Sequence, residues 1–191
     1  MEMKNRCAWV NVSDPLMTSY HDLEWGKPVH DDSVLLEFII LEGAQAGLNW
    51  RTVLLKRENY RAAFDSFDPV KIADYDVTKI KELMTNPGII RNELKIRSAI
   101  NNAMAFLKVQ REFGSFDSFL WNTDRRFPIV NGWKESSDIP SRSVESDKIS
   151  RDLESRGFTF VGTKIVYSFM QAVGLVNDHT IDCFRYSELT R

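Results

Sequence analysis

Cys7 and His21 stand near one end of this 191-residue chain, and His179 and Cys183 stand near the other. Two thiolates and two imidazoles make a closed tetrahedral set for zinc, a type of site that is usually structural. A site joining these four residues clamps the two ends of one domain, and so admits only folds whose termini lie side by side. His-x-x-x-Cys at 179–183 puts both side chains on one face if that segment is helical. The stretch between Cys7 and His21, with Ser13-Asp14-Pro15, reads as a loop that can fold the first pair together. These are the chain's only two cysteines and two of its three histidines. Spacing by itself leaves alternatives open. A lone cysteine is commonly a small buried hydrophobe, and the remaining possibility is a disulfide. The disulfide is disfavoured because nothing resembles a signal peptide and the chain is not cysteine-dense. His30, between Pro28 and Asp31-Asp32, reads as a loop histidine. The closed set leaves no coordination position for catalytic work.

The length suits one domain spanning 1–191, large enough to bury a core. The longest apolar run, 34–41, is interrupted by Glu37 and falls short of membrane-spanning length. The expected location is therefore cytoplasmic, with no membrane partner. A formal net charge of −2 excludes a generally basic surface, so any contact with nucleic acid has to be a local patch.

Helical periodicity dominates. Asp31 or Asp32 caps a first helix that stops in the stretch 43–47, and Asn49 caps a second that carries Trp50, Val53, Leu54, Ala63 and Phe64 to the core. Asp76 starts a third helix, ended by Asn86-Pro87-Gly88, and a long helix follows from about 92 to 113, ended by Gly114. Further helices are expected at 144–156 and 163–173, with Gly157 and Gly174 as stop signals. Strand patterns are scarce, 127–130 and 158–161 being the best. The irregular stretch 122–143 reads as a long surface connection, with Trp133 folding back onto the core. The expected fold class is all-α.

Two further regions carry chemistry. Around 77–107, two helices flank a Pro-Gly turn, a helix–hairpin–helix candidate. Such a turn can present backbone N–H groups and a helix N-terminus to a phosphate, with Arg91 and Lys95 close by; an ordinary helical hairpin fits the same pattern. Trp9, Tyr20 and Trp25 fall around the first Cys/His pair, and Trp50 follows Glu42 by a short small-residue loop. Aromatic faces can stack a flat heterocycle or hold a cation, and the Glu42 carboxylate can accept a hydrogen bond from an exocyclic amine. Core tryptophans and a solvated Glu42 are the alternative.

The strings Tyr20-His21-Asp22-Leu23-Glu24-Trp25-Gly26, Leu41-Glu42-Gly43-Ala44-Gln45-Ala46-Gly47-Leu48-Asn49-Trp50 and Lys56-Arg57-Glu58-Asn59-Tyr60-Arg61 resemble the 3-methyladenine DNA glycosylase I (Tag) family. So do Gly88-Ile89-Ile90-Arg91, Arg156-Gly157-Phe158, Phe160-Val161-Gly162, Tyr167-Ser168-Phe169-Met170-Gln171-Ala172 and Gly174-Leu175-Val176-Asn177-Asp178-His179. The resemblance runs from Cys7 to Cys183 and weakens in 122–143. It implies a helix–hairpin–helix glycosylase domain with one structural zinc held by Cys7, His21, His179 and Cys183. It also implies excision of 3-methyladenine from alkylated double-stranded DNA, leaving an abasic site and the free base. By position, Glu42 matches the carboxylate that contacts the base, Tyr20 and Trp50 the aromatics around it, and Trp9 and Trp25 further pocket positions. Gln45, Gly47 and Leu48 match the loop that enters the duplex, while Gly88, Ile90, Arg91 and Lys95 are the expected phosphate-side residues. Met17 replaces an aromatic found in some relatives.

The implied enzyme is a monofunctional N-glycosyl hydrolase acting as a monomer. Its catalytic water-activating group is unassigned, and Asp178 is given no catalytic role. A zinc-stabilised nucleic-acid or protein-binding module without activity is the alternative. A metal-dependent hydrolase is disfavoured by the saturated donor set.

Overall fold

The computed structural model describes residues 4–122 and 127–190. Part of the expected surface connection, residues 123–126, lies outside the described residues.

Helix α1 (Pro15–Leu23) occupies the stretch expected to be a loop. The Asp14 carboxylate accepts the Leu16 and Met17 N–H groups, and Pro15 supplies a helical φ at the first position. Asp-Pro is here a start signal, and it places His21 on a helix. Helix α2 (Asp32–Gln45) is capped by Asp31, runs through Gly43 and stops at Gln45, inside the stretch 43–47 where its end was expected. Residues 35–44 of α2 are all buried, so it is the central helix and needs no polar face. Glu37 in its middle is buried but paired: Arg57 Nε donates at 2.5 Å, and Arg61 reaches the same carboxylate.

The single helix expected from 50 to 64 is two, α3 (Trp50–Leu54) and α4 (Arg57–Ala63). The break comes where the Lys56 N–H bonds the Val53 carbonyl at 2.9 Å, tightening the turn. Then follow α5 (Pro69–Ala73), α6 (Val77–Thr85), α7 (Glu93–Phe113) and α8 (Phe116–Trp121). Asp76 caps α6 as expected, and Asn92, about where the long helix was expected to begin, caps α7. Helices α5 and α8 escape the sequence reading because pieces this short leave almost no periodic signal.

Strand β1 (Ile129–Val130) precedes α9 (Val144–Ser155) and α10 (Thr163–Ala172), and β2 (Val176–Asn177) precedes α11 (Phe184–Leu189). β1 and β2 form a minimal parallel pair, Ile129 opposite Val176. The expected strand at 158–161 is instead the connection between α9 and α10, where Thr159 is tied to Asn102 of α7. Helix α2 packs against α7 and α10, with α5 on α7 and α9 on α10. Among the described residues no helix is long and apolar enough to cross a membrane.

Gly174 ends α10 at φ +75°, where an added Cβ would lie 2.4 Å from the Lys27 backbone. Gly114 ends α7 at φ +85° with open space around it. Gly174→Ala is expected to cost about 3 kcal/mol or more, and Gly114→Ala about 1 kcal/mol. Denaturant melts of both variants check this; equal losses would remove the role assigned to the close backbone approach.

Candidate functional site

Cys7, His21, His179 and Cys183 are buried together, and their ligand atoms all lie within 4.8 Å of one another. Cys7 Sγ is 3.5 Å from His179 Nδ1, and Cys183 Sγ is 3.5 Å from His21 Nε2 and 3.4 Å from His179 Nδ1. The outward ring nitrogens are held as well. His21 Nδ1 lies 2.8 Å from Asp22 Oδ1, and Arg6 Nη2 holds that carboxylate at 2.7 Å. His179 Nε2 lies 3.0 Å from the Trp25 carbonyl. Each acceptor fixes the proton on the outer nitrogen and turns a lone pair inward, as metal-binding imidazoles require.

The Cys183 thiol is held well below the ordinary thiol range, because its thiolate accepts a hydrogen bond from Cys7. Residues 179–183 are not helical: they form a turn between β2 and α11, closed by the Cys183 N–H on the Thr180 carbonyl at 2.8 Å. The turn brings the pair together without a helix. His30 stays outside the cluster, bound to Asp117 on the surface.

A cavity of about 390 Å³ adjoins this cluster, lined by Trp9, Met17, Tyr20, Trp25, Glu42, Gln45 and Trp50. Tyr20 sits one turn after Met17 on α1, Glu42 and Gln45 lie on the last turn of α2, and Trp50 opens α3. Tyr20 and Trp50 face each other at 5.5 Å between ring centroids, and Trp9 and Trp25 at 5.0 Å. Trp25 in turn sits edge-on to His179 at 4.6 Å, so the cavity floor rests on the Cys/His cluster.

Glu42 is 3% exposed and has no hydrogen-bond partner among the described residues. Burial alone pushes its carboxyl up to about 8. Burial and then the nearby Glu42 raise the Tyr20 hydroxyl well above its ordinary value. An aromatic box with one unpaired buried carboxyl is suited to a flat, cationic or amine-bearing ligand.

The methyladenine glycosylase family profile matches residues 9–186. The chain belongs to that family. It is 49% identical to DNA-3-methyladenine glycosylase 1 of Escherichia coli K12, over 95% of this chain and 96% of the relative. Its fold superposes on a crystal structure of 3-methyladenine DNA glycosylase I with a TM-score of 0.90 at 48% identity, covering 94% of this chain and 98% of the other. A variant of 3-methyladenine DNA glycosylase I solved in complex with 3-methyladenine gives a TM-score of 0.90 at 36% identity, over 94% and 96% of the two chains.

For a member of this family, two features of the cavity lie outside the sequence reading. Its far wall comes from Ser136, Ile139, Pro140 and Ser141, in the stretch read as a surface connection, and from Ser168 and Gln171 of α10. That wall is anchored through Trp133, whose indole N–H donates to Asp178 at 2.7 Å. Asp178 also accepts from Asn131, Tyr167 and Gln171 at 2.7–2.8 Å, so it is a buried structural hub.

The expected phosphate-side residues divide. At the α6–α7 connection the Gly88 N–H is taken by Asn86 Oδ1 at 2.7 Å and the Ile90 N–H by the Tyr60 hydroxyl at 3.2 Å. Gly88 is required by packing, since a Cβ there would lie 2.9 Å from Asn59 Cβ. Arg91 is exposed and makes no ion pair among the described residues. Lys95 turns inward: its Nζ donates to the carbonyls of Ala44 and Ala46, both at 2.7 Å. Gln45 Nε2 bonds the Leu48 carbonyl at 2.8 Å, Gly47 has φ +76°, and Leu48 projects at 38% exposure.

The α9–α10 connection has the opposite character. The N–H groups of Phe160, Val161, Gly162, Thr163 and Lys164 have no partner among the described residues. Gly162 and Lys164 are exposed. Phe160 holds φ +54°, and its Cβ lies 3.4 Å from where a Cβ on Gly43 would stand, beside Glu42.

Proposed function

We propose that this chain removes 3-methyladenine from alkylated double-stranded DNA by hydrolysing the N-glycosidic bond, leaving an abasic site. The carrying observation is the buried Glu42 carboxyl, unpaired in an aromatic cavity large enough to admit a base, in a chain of the methyladenine glycosylase family. A base inside a duplex must leave the stack before a pocket can read it, at a cost of a few kcal/mol. Tyr20 and Trp50 supply faces for the extruded base, with Trp9 and Trp25 closing the box. Glu42 accepts from the exocyclic amine and attracts the positive ring.

N3 methylation has already made the base a good leaving group. The bonding pair of the C1′–N9 bond goes to the base, which leaves neutral, and water adds to the oxocarbenium carbon and releases its proton to solvent. No strong general acid is needed, which fits a cavity whose acid serves recognition. Purified protein incubated with methylated duplex should release 3-methyladenine, identified by chromatography. Release of no base would leave a binding module without activity.

The Cys/His cluster supports a zinc reading by its dimensions. Zn–S near 2.3 Å and Zn–N near 2.0–2.1 Å at tetrahedral angles give S···N edges of roughly 3.5 Å, and three of the four such edges here are 3.4–3.5 Å. Cys7, His21, His179 and Cys183 would hold one zinc per chain with no open position, a structural clamp under the cavity floor. The protein would act as one domain and as a monomer.

Phosphate contact falls to the α9–α10 connection, a helix–hairpin–helix in which open N–H groups meet a helix N-terminus. This reading moves the main phosphate site from Gly88, Ile90 and Lys95 to 160–164, keeps Arg91 as an exposed cation, and leaves Gln45, Gly47 and Leu48 to enter the duplex. Gly162 caps α10 without a side chain and has open space around it. Gly162→Asp is therefore expected to leave stability unchanged or raise it by a few tenths of a kcal/mol, because Asp is a good cap. The same charge should weaken binding to abasic DNA by about tenfold or more through phosphate repulsion. Titration with free 3-methyladenine should be unaffected. Undiminished DNA binding would return the phosphate site to the α6–α7 connection.

A further inference from the structure

We infer that Lys95 is a positioning residue for the reaction: its ammonium fixes the α2–α3 loop at the mouth of the base cavity in the shape that duplex DNA meets. Lys95 belongs to the first turn of α7, about fifty positions from the loop in sequence, yet it reaches two carbonyls there, Ala44 O and Ala46 O, at 2.7 Å each. Those oxygens sit at the C-terminal end of α2, where backbone carbonyls lack helical partners and the helix dipole is negative.

A cation at that point does two things. It ends the helix, since Ala46 has already left helical geometry at φ −46°, ψ 118°. It also sets the direction in which the chain leaves, so that Gln45 lines the cavity and Leu48 projects from the rim. The remaining loop bonds are local: Gln45 Nε2 on the Leu48 carbonyl, and the Leu48 N–H on the Gln45 carbonyl at 2.7 Å. Lys95 is thus the side chain that ties this loop to the body of the protein, and burial lowers its own proton affinity, as expected for a cation drawn out of water. Glu42 and Trp50 flank the loop on either side. The free base needs only the cavity walls, whereas a duplex must press its backbone against the loop.

This inference rests on the glycosylase reading, and the parent protein controls for it: failure of the parent to release 3-methyladenine defeats that reading, and the variants then decide nothing else. With an active parent, Lys95→Met keeps the aliphatic stem and removes the two hydrogen bonds. Free 3-methyladenine affinity should stay within about twofold, while single-turnover excision from methylated duplex falls roughly 10–100-fold, the loss set by two charge-assisted bonds that hold the loop. Excision from methylated single strands, which are already unstacked, should fall much less. Lys95→Arg, whose guanidinium can donate to both carbonyls, should recover most of the duplex rate. Parent-like duplex excision by Lys95→Met would overturn the inference. So would a parallel loss of free-base affinity and of rate on both substrates, which would show a general structural role.

Discussion

Glu42→Gln should bind and excise 3-methyladenine worse than the parent while being the more stable protein. Among the described residues that line the cavity, Glu42 is the only one with a charge that can distinguish a cationic base. A charge-assisted bond in such a site is worth about 1.5–3 kcal/mol, or one to two decades in affinity. Stability moves the other way. The folded unliganded carboxyl titrates near 8, raised from 4.5 by burial. Between those values the folded state holds a proton that the unfolded chain has released. The parent therefore loses stability as pH rises through this window, by roughly 3–5 kcal/mol at its upper end.

Glutamine does not titrate, so the variant's advantage in melting temperature should be small near pH 4.5 and largest near pH 8. The ionised carboxylate is the form that attracts a cation, so parental single-turnover excision should climb with pH toward 8, and the variant's profile should be flatter. Titration of free base and melts at matched pH check both halves. Unchanged affinity would remove Glu42 from base recognition, and a pH-independent difference in melting temperature would show that its carboxyl is not held neutral.

Loss of the Cys/His clamp carries the other large effect. Cys183→Ser should lower metal content and stability together, because metal binding adds its free energy to folding. The chain has its own hydrophobic core, so the expected cost is about 5 kcal/mol, or roughly 10–20 °C in melting temperature for a domain of this size. Trp25 packs on His179 and Trp9 on His21, so free-base affinity should fall with it. Metal analysis, calorimetry and base titration on one preparation decide the matter. A variant without metal that melts like the parent would end the clamp reading.

Much of this protein was legible in its residues. Asp31, Asn49 and Asp76 cap helices where their short polar side chains stand before apolar periods, and that signal is local. The four metal-type donors stood out as a set, but spacing left a buried thiol and a disulfide open until the fold brought their ligand atoms within 4.8 Å of one another. Family membership follows from ordered strings of residues and needs no coordinates.

Tertiary structure decided what depends on partners distant in sequence. Glu37 and Glu42 stand five residues apart in one buried helix, yet Arg57 neutralises the first while the second has no hydrogen-bond partner among the described residues; only packing makes one an ion pair and leaves the other facing the cavity. Lys95 reads as a surface cation until α7 lies against the end of α2. The stretch at 136–141 reads as a surface connection until Trp133 and Asp178 draw it over the cavity. The Pro-Gly turn at 86–88 reads as the hairpin and 158–161 as a strand, yet Asn86 and Tyr60 take donors of the α6–α7 connection while those at 160–164 have no partner among the described residues. Local propensity and capping act over a few residues and can be read along the chain; burial, desolvation and hydrogen-bond satisfaction are properties of whatever the fold brings near, and they set the chemistry of the site.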